Sequence, residues 1–145
     1  MRCKRSSTRS AEVAALKDEY RIQYPQCQYA LACGEFVRFP IHFGSWLELD
    51  HIWGRDKCGE HWSNYAIGSC AAHLWKHRNL TVARIAIMAY KYRLAKLTGD
   101  GRHFDLDVLE QVSGYRLPGW IENQVADENL PSWCVDMGKG LLRIL

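Results

Sequence analysis

Asp50 and His51 stand side by side near the end of an apolar run in "ELDHIWGRDKCGEHWSN" (48–64), and Asn64 closes that stretch. Further on, His73 and His77 form an H-x-x-x-H pair. A carboxylate beside an imidazole supplies a hard oxygen ligand next to a base that titrates near neutral pH. Two imidazoles four residues apart share one face of a helix, with Cβ atoms about 5–6 Å apart, and can hold one metal ion together. Taken alone, such a pair is more often an ordinary pair of surface or half-buried histidines. The order adds information: twelve residues separate His51 from Asn64, eight separate Asn64 from His73, and three separate His73 from His77. His42, His61 and His103 stand alone.

The elements that must position these residues are legible in part. In "SWLELDHIW" Trp46, Glu48 and Asp50 alternate with Leu47, Leu49 and His51, a strand pattern, and "NYAIGS" is a second short strand candidate. Between them "GRDKCGEHWS" reads as a loop with Gly54 and Gly59 as turn residues, and "CAAHLWKHRNL" as a short helix that Ser69 can cap. A strand–loop–strand–helix unit can fold back so that the strand end faces the helix. That would gather an acid, three imidazoles and an amide in one cleft.

Around this unit, residues 1–10 are basic and serine-rich and are expected to be mobile. "SAEVAALKDEYRIQYP" predicts a helix with Ser10 as N-cap, an apolar stripe of Val13, Leu16, Tyr20 and Ile22, and a stop at Pro25. "FVRFPIHFG" predicts a strand, with Gly44 and Ser45 before the next. "TVARIAIMAYKYRLAKLTGDG" is the clearest helix, with Val82, Ile85, Met88, Ala89, Tyr92 and Leu97 near helical period and Gly99 and Gly101 as its stops. "FDLDVLEQVSG" is a short helix ended by Gly114; the tail beyond it holds two prolines and three apolar clusters without an assignable pattern. The expected class is α+β, a single domain over residues 1–145.

Bulk properties set the frame. A chain of 145 residues that is 48% hydrophobic and 24% charged can bury a real core, which excludes a disordered chain. A formal net charge of +3 permits an anionic partner without demanding one. No apolar run reaches the roughly 20 residues of a membrane span, and charges follow the basic N-terminus where a signal peptide needs an apolar block, so a cytoplasmic protein with no membrane partner is expected. In a reducing compartment the six cysteines (Cys3, Cys27, Cys33, Cys58, Cys70, Cys134) are expected as free thiols or metal ligands. No C-x-x-C occurs, and the five residues between Cys27 and Cys33 suit a zinc knuckle poorly.

"LELDHIWGR…SNYAIGSCAAHLWKH" resembles the HNH (ββα-metal) endonucleases, in particular those with an H-x-x-x-H helix such as the colicin DNases, and "DHIWGR" is similar to the opening motif of many small phage-encoded members. The resemblance covers residues 46–78. It implies a core of a short antiparallel hairpin plus a helix, surrounded here by additional helices, in a bacterial or phage-infected cell. Ser69 and Ala72 stand where many members carry the second cysteine pair of a zinc knuckle, and Cys70 is out of register, so a structural zinc on Cys27, Cys33, Cys58 or Cys70 stays open.

What the resemblance implies is hydrolysis of DNA phosphodiester bonds. His51 becomes the general base and Asn64 holds the loop so that the base points at the water. Asp50, His73 and His77 become ligands of one divalent cation, with His73 general to the family and His77 shared by only some members. That cation polarises the phosphate and stabilises the leaving 3′ oxygen. Mg²⁺ or Mn²⁺ is expected to support activity, while two imidazoles favour binding of Zn²⁺ or Ni²⁺. Arg55 is a candidate phosphate clamp and equally a solvated loop charge, and Lys57, Lys76 and Arg78 are candidate further phosphate contacts; Trp53 and Trp62 are expected to pack rather than to stack on bases. A non-catalytic zinc-binding DNA module is the competing reading, because H-x-x-x-H is also half of a zinc-finger ligand set. The apolar "GLLRIL" end allows a homodimer.

Overall fold

The computed structural model describes residues 7–39, 46–54 and 59–145. Arg55, Lys57, Cys58, Cys3, His42, Gly44, Ser45 and most of the basic N-terminus fall outside them. Among the described residues the chain is α+β: seven α-helices and one two-stranded antiparallel sheet. In order these are α1 (Ser7–Gln23), α2 (Gln28–Cys33), β1 (Leu47–His51), β2 (Tyr65–Ser69), α3 (Cys70–Arg78), α4 (Leu80–Thr98), α5 (Leu106–Ser113), α6 (Leu117–Val125) and α7 (Ser132–Ile144). No helix among the described residues is long and apolar enough to cross a membrane.

The hairpin pairs Leu47 with Ser69, Leu49 with Ile67 and His51 with Tyr65. A two-stranded sheet leaves the outer edge of β2 without ladder partners, and buried backbone groups must find others. Side chains from the helices supply them. Tyr20 donates its hydroxyl to the Tyr65 carbonyl at 2.9 Å, Gln28 Oε1 accepts from the Ile67 N–H at 2.8 Å, and Cys27 Sγ accepts from the Ser69 N–H at 3.5 Å. The Lys91 ammonium donates to the carbonyls of Trp62 and Tyr65 from a fully buried position on α4. Thus α1, α2 and α4 do for β2 what a third strand does elsewhere, and all five β2 residues are buried.

Helix α4 forms the spine of the core. It packs against α2 and α7, and Val82, Ala83, Ile85, Ala86, Ile87 and Met88 are all buried, so its first half is covered around most of its circumference, with Leu80 and Arg84 left partly exposed. Gly99 closes it in the left-handed conformation (φ 71°) and Gly114 closes α5 likewise (φ 78°), as the sequence predicts. Gly101 instead begins a 3-10 turn, and Leu97 is 86% exposed, outside the buried face. The unassigned tail forms α6 and α7, which pack on each other. Leu141 of "GLLRIL" is buried in the chain's own core, while Ile144 is exposed.

Three further expectations need correcting. Helix α1 starts at Ser7, so Ser10 lies inside it and is not its cap, and Ile22 is 82% exposed. The described part of "FVRFPIHFG", residues 36–39, is not a strand. The N–H groups of Phe36 and Val37 both turn back to the Cys33 carbonyl, at 2.9 and 2.8 Å. The aromatic residues that mimic a strand signal there are anchors onto other elements: Phe36 stacks on Trp133 at 4.6 Å and Phe39 meets Trp75 edge-on. The short helix α2 itself has no counterpart among the predicted elements.

Candidate functional site

The end of β1, the start of β2 and the helix α3 that follows directly bring the predicted residues together. Ser69 caps α3 as predicted, its hydroxyl accepting from the Ala72 N–H at 3.1 Å, so the helix leaves β2 without a connecting loop. Asp50, His51, His73, Lys76 and His77 line one cleft of about 440 Å³, shared with Leu49, Gly54, Leu80 and Arg84. Neighbours on a regular strand point to opposite faces. Asp50 and His51 reach the same cleft because the strand ends at His51 and the chain bends through Ile52 and Trp53.

Asn64 fixes that bend. It is fully buried; its Oδ1 accepts from the Trp53 N–H at 2.9 Å, and its Nδ2 donates to the carbonyls of Trp53 and Gly59, both at 3.0 Å. One amide therefore ties the residues after His51 to the far end of the loop. Gly59 is needed for this approach, since a Cβ there would lie 2.4 Å from Asn64 Nδ2. The sequence anticipates Asn64 as the loop's positioning residue; contact with His51 is through the backbone it holds and not by a direct bond.

His51 has a partner that the sequence reading missed. Its Nε2 lies 2.5 Å from Glu60 Oε1, and Glu60 Oε2 in turn accepts from the Tyr65 hydroxyl at 3.0 Å, with Lys17 Nζ at 3.4 Å. An ionised carboxylate only accepts, so Nε2 carries the proton and Nδ1 is left as the basic nitrogen. Burial pulls the His51 imidazole below the ordinary histidine value, and the Glu60 carboxylate opposes this without overcoming it. Burial alone would raise Glu60, but the His51 hydrogen bond and charge, Lys17 and Tyr65 hold it below the usual carboxylate range. The pair is a neutral imidazole on an ionised carboxylate.

Asp50 is held from two sides. Tyr29 donates its hydroxyl to Oδ2 at 3.1 Å, and the Lys76 ammonium donates to the same oxygen and to the His51 carbonyl, both at 2.5 Å. Burial keeps Tyr29 well above the ordinary phenol range, so it remains a neutral donor. Lys76, expected as a solvent-facing phosphate contact, is only 4% exposed and serves as the resident counter-charge of Asp50. Burial lowers its ammonium, and Asp50 works against that.

His73 Nδ1 lies 3.6 Å from Asp50 Oδ1 and is buried without a hydrogen-bond partner, while its Nε2 is 3.0 Å from His77 Nε2. An orphaned buried nitrogen facing a carboxylate oxygen, with a second imidazole adjacent, is a donor set that suits a borderline divalent cation. Among the described residues no three His, Cys, Asp or Glu side chains are already closed into a metal cage. Lys76 stands on Asp50 Oδ2, and the two His73 nitrogens face different partners. The donor types fit a cation, and a cation entering would share Asp50 with Lys76.

The remaining candidates separate. Arg78 is exposed on the last turn of α3 and lines a different groove, with Trp75, Asn79 and Trp133. Trp53 and Trp62 are buried packing residues, as expected. Cys27 and Cys33 lie in the hydrophobic core, the Cys33 thiol donating to the Tyr29 carbonyl at 2.8 Å; Cys134 is buried and Cys70 exposed. Besides Glu60, the reading missed Tyr29 and Arg84. A lone arginine within the apolar run "TVARIAIM" was the available signal for Arg84, because a charge on a buried helix needs a reason to be there. Against models of protein families, curated proteins and solved structures, the chain finds no match.

Proposed function

We propose that the protein is a divalent-metal-dependent DNA endonuclease with an HNH (ββα-metal) core over residues 46–78. The single observation carrying this reading is the cleft itself: a strand–strand–helix unit collects Asp50, His51, His73 and His77 around one space. Asn64 behind them ties down the bend that aims His51.

His51 Nδ1 takes a proton from a water while Nε2–H stays on Glu60, whose negative charge stabilises the imidazolium that forms. The water oxygen attacks phosphorus, and the bond from phosphorus to the 3′ oxygen breaks. Asp50, His73 and His77 would hold the cation, which when bound polarises the phosphate and stabilises the leaving oxygen. One carboxylate with two imidazoles suits Mn²⁺, Ni²⁺ or Zn²⁺ better than Mg²⁺ as a tightly held ion.

The test is incubation of the full chain with supercoiled plasmid across a metal series. Nicked or linear product with Mn²⁺ or Mg²⁺, and none in EDTA, supports the reading. Intact plasmid under every metal, together with stoichiometric cysteine-bound zinc, would instead support the non-catalytic zinc module.

A further inference from the structure

Arg84 is a charge that has no ion-pair partner among the described residues. It reaches the cleft from α4, outside the strand–strand–helix unit, and lines the same space as Asp50 and His51. Its Nε donates to the Ile52 carbonyl at 2.9 Å, and its guanidinium carbon sits 4.1 Å from the centroid of the Trp53 ring. These two contacts fix the plane of the group, and the Trp53 backbone is in turn held by Asn64. The terminal nitrogens Nη1 and Nη2 make no hydrogen bond among the described residues, and no described carboxylate lies within ion-pair distance of Arg84. Asp50, the acid on the same cleft, is engaged by Lys76 and Tyr29.

A half-buried cation without a direct ion-pair partner carries a desolvation cost that an anion in the cleft would offset. With Nε spent on Ile52, the planar group keeps its Nη1/Nη2 edge free, and such a fork matches a phosphate better than a point charge does. We propose that Arg84 is the anion-binding group of this cleft and clamps a backbone phosphate of the bound DNA strand. The inference rests on reading the cleft as a phosphodiester site. Because Arg84 holds the carbonyl of the residue that follows His51, the clamped phosphate lies at the scissile position or beside it.

The competing role is a purely structural one, in which Arg84 only staples the Ile52–Trp53 bend. Binding of a short fluorescein-labelled DNA duplex to the full chain in EDTA, followed across a salt series, separates the two. Arg84→Gln should weaken binding about tenfold and reduce the slope of log K against log salt by about one, since one phosphate contact is lost. Arg84→Met keeps the stem over Trp53 and removes the charge, so it should lose the same increment of slope, and it decides the matter if the glutamine variant does not fold. An unchanged slope in the folded variants, whatever the affinity, overturns the clamp. The nuclease reading fails separately: a wild-type protein that never cleaves but shows the Arg84-dependent slope keeps the anion site and loses the activity.

Discussion

At the scale of single residues, the proposed role of His51 as a base rests on what surrounds it. Burial favours its neutral form, and Glu60 accepts from Nε2–H so that Nδ1 is left as the basic nitrogen. Glu60→Gln retains an acceptor but removes the charge that raises the imidazole. The acid limb of the pH–rate profile should therefore move to lower pH, and kcat should fall on the order of tenfold. A limb that stays in place would make Glu60 a packing residue only. Asp50, His51, Asn64, His73 and His77 were legible in the sequence because order and spacing tie them to successive elements. Glu60 was not: it sits in "GRDKCGEHWS" among charges that all look solvated. Tyr29 was hidden because nothing in "QYALAC" says that its helix touches β1.

At the scale of elements, the hairpin and α3 were read from alternation, a capping serine and a glycine-containing loop. Their order and type follow from local chemistry. What local chemistry does not carry is the support behind them, where Gln28, Tyr20 and Lys91 complete the edge of β2. Those contacts link residues far apart in the chain, and the residues before the hairpin were misread where aromatic anchors imitate a strand. The loop between the strands depends on one amide. Asn64→Ala leaves the Trp53 N–H and the Trp53 carbonyl without partners in a buried place and leaves the Gly59 carbonyl with the His61 N–H alone, and should lower the unfolding free energy by about 2–4 kcal/mol. Chemical denaturation measures this. Asn64→Asp should not rescue it, since a carboxylate cannot donate to the carbonyls of Trp53 and Gly59. A loss below about 0.5 kcal/mol, the size of an ordinary surface change, would show that the bend is held by something else.

At the scale of the whole molecule, burial depresses His51, His61 and His103 alike. The unfolded chain then binds protons that the native state refuses. Stability is fully present above the ordinary histidine value of 6.5 and is lost as pH falls below it. Glu60, held below its ordinary value of 4.5, adds a second loss in the more acidic range. The melting temperature should decline from about pH 6.5 downward, before most carboxylates titrate. A flat profile from pH 7 to 5 would mean that these imidazoles are protonated as easily in the fold as outside it. The formal charge of +3 is small, so whole-molecule attraction to an anionic partner is weak, and on the proposed reading the cleft would supply most of the grip on DNA.

In the proposed reaction one cleft built by β1, β2 and α3 hydrolyses DNA with His51 as its base. The most direct measurement is cleavage of supercoiled plasmid in Mn²⁺ by the wild-type chain and by His51→Ala, with melting temperature and DNA affinity of both recorded alongside. The wild type should nick the plasmid, and the variant should fold and bind DNA but cleave at least about 10²-fold more slowly. Equal cleavage by a folded His51→Ala protein would contradict it.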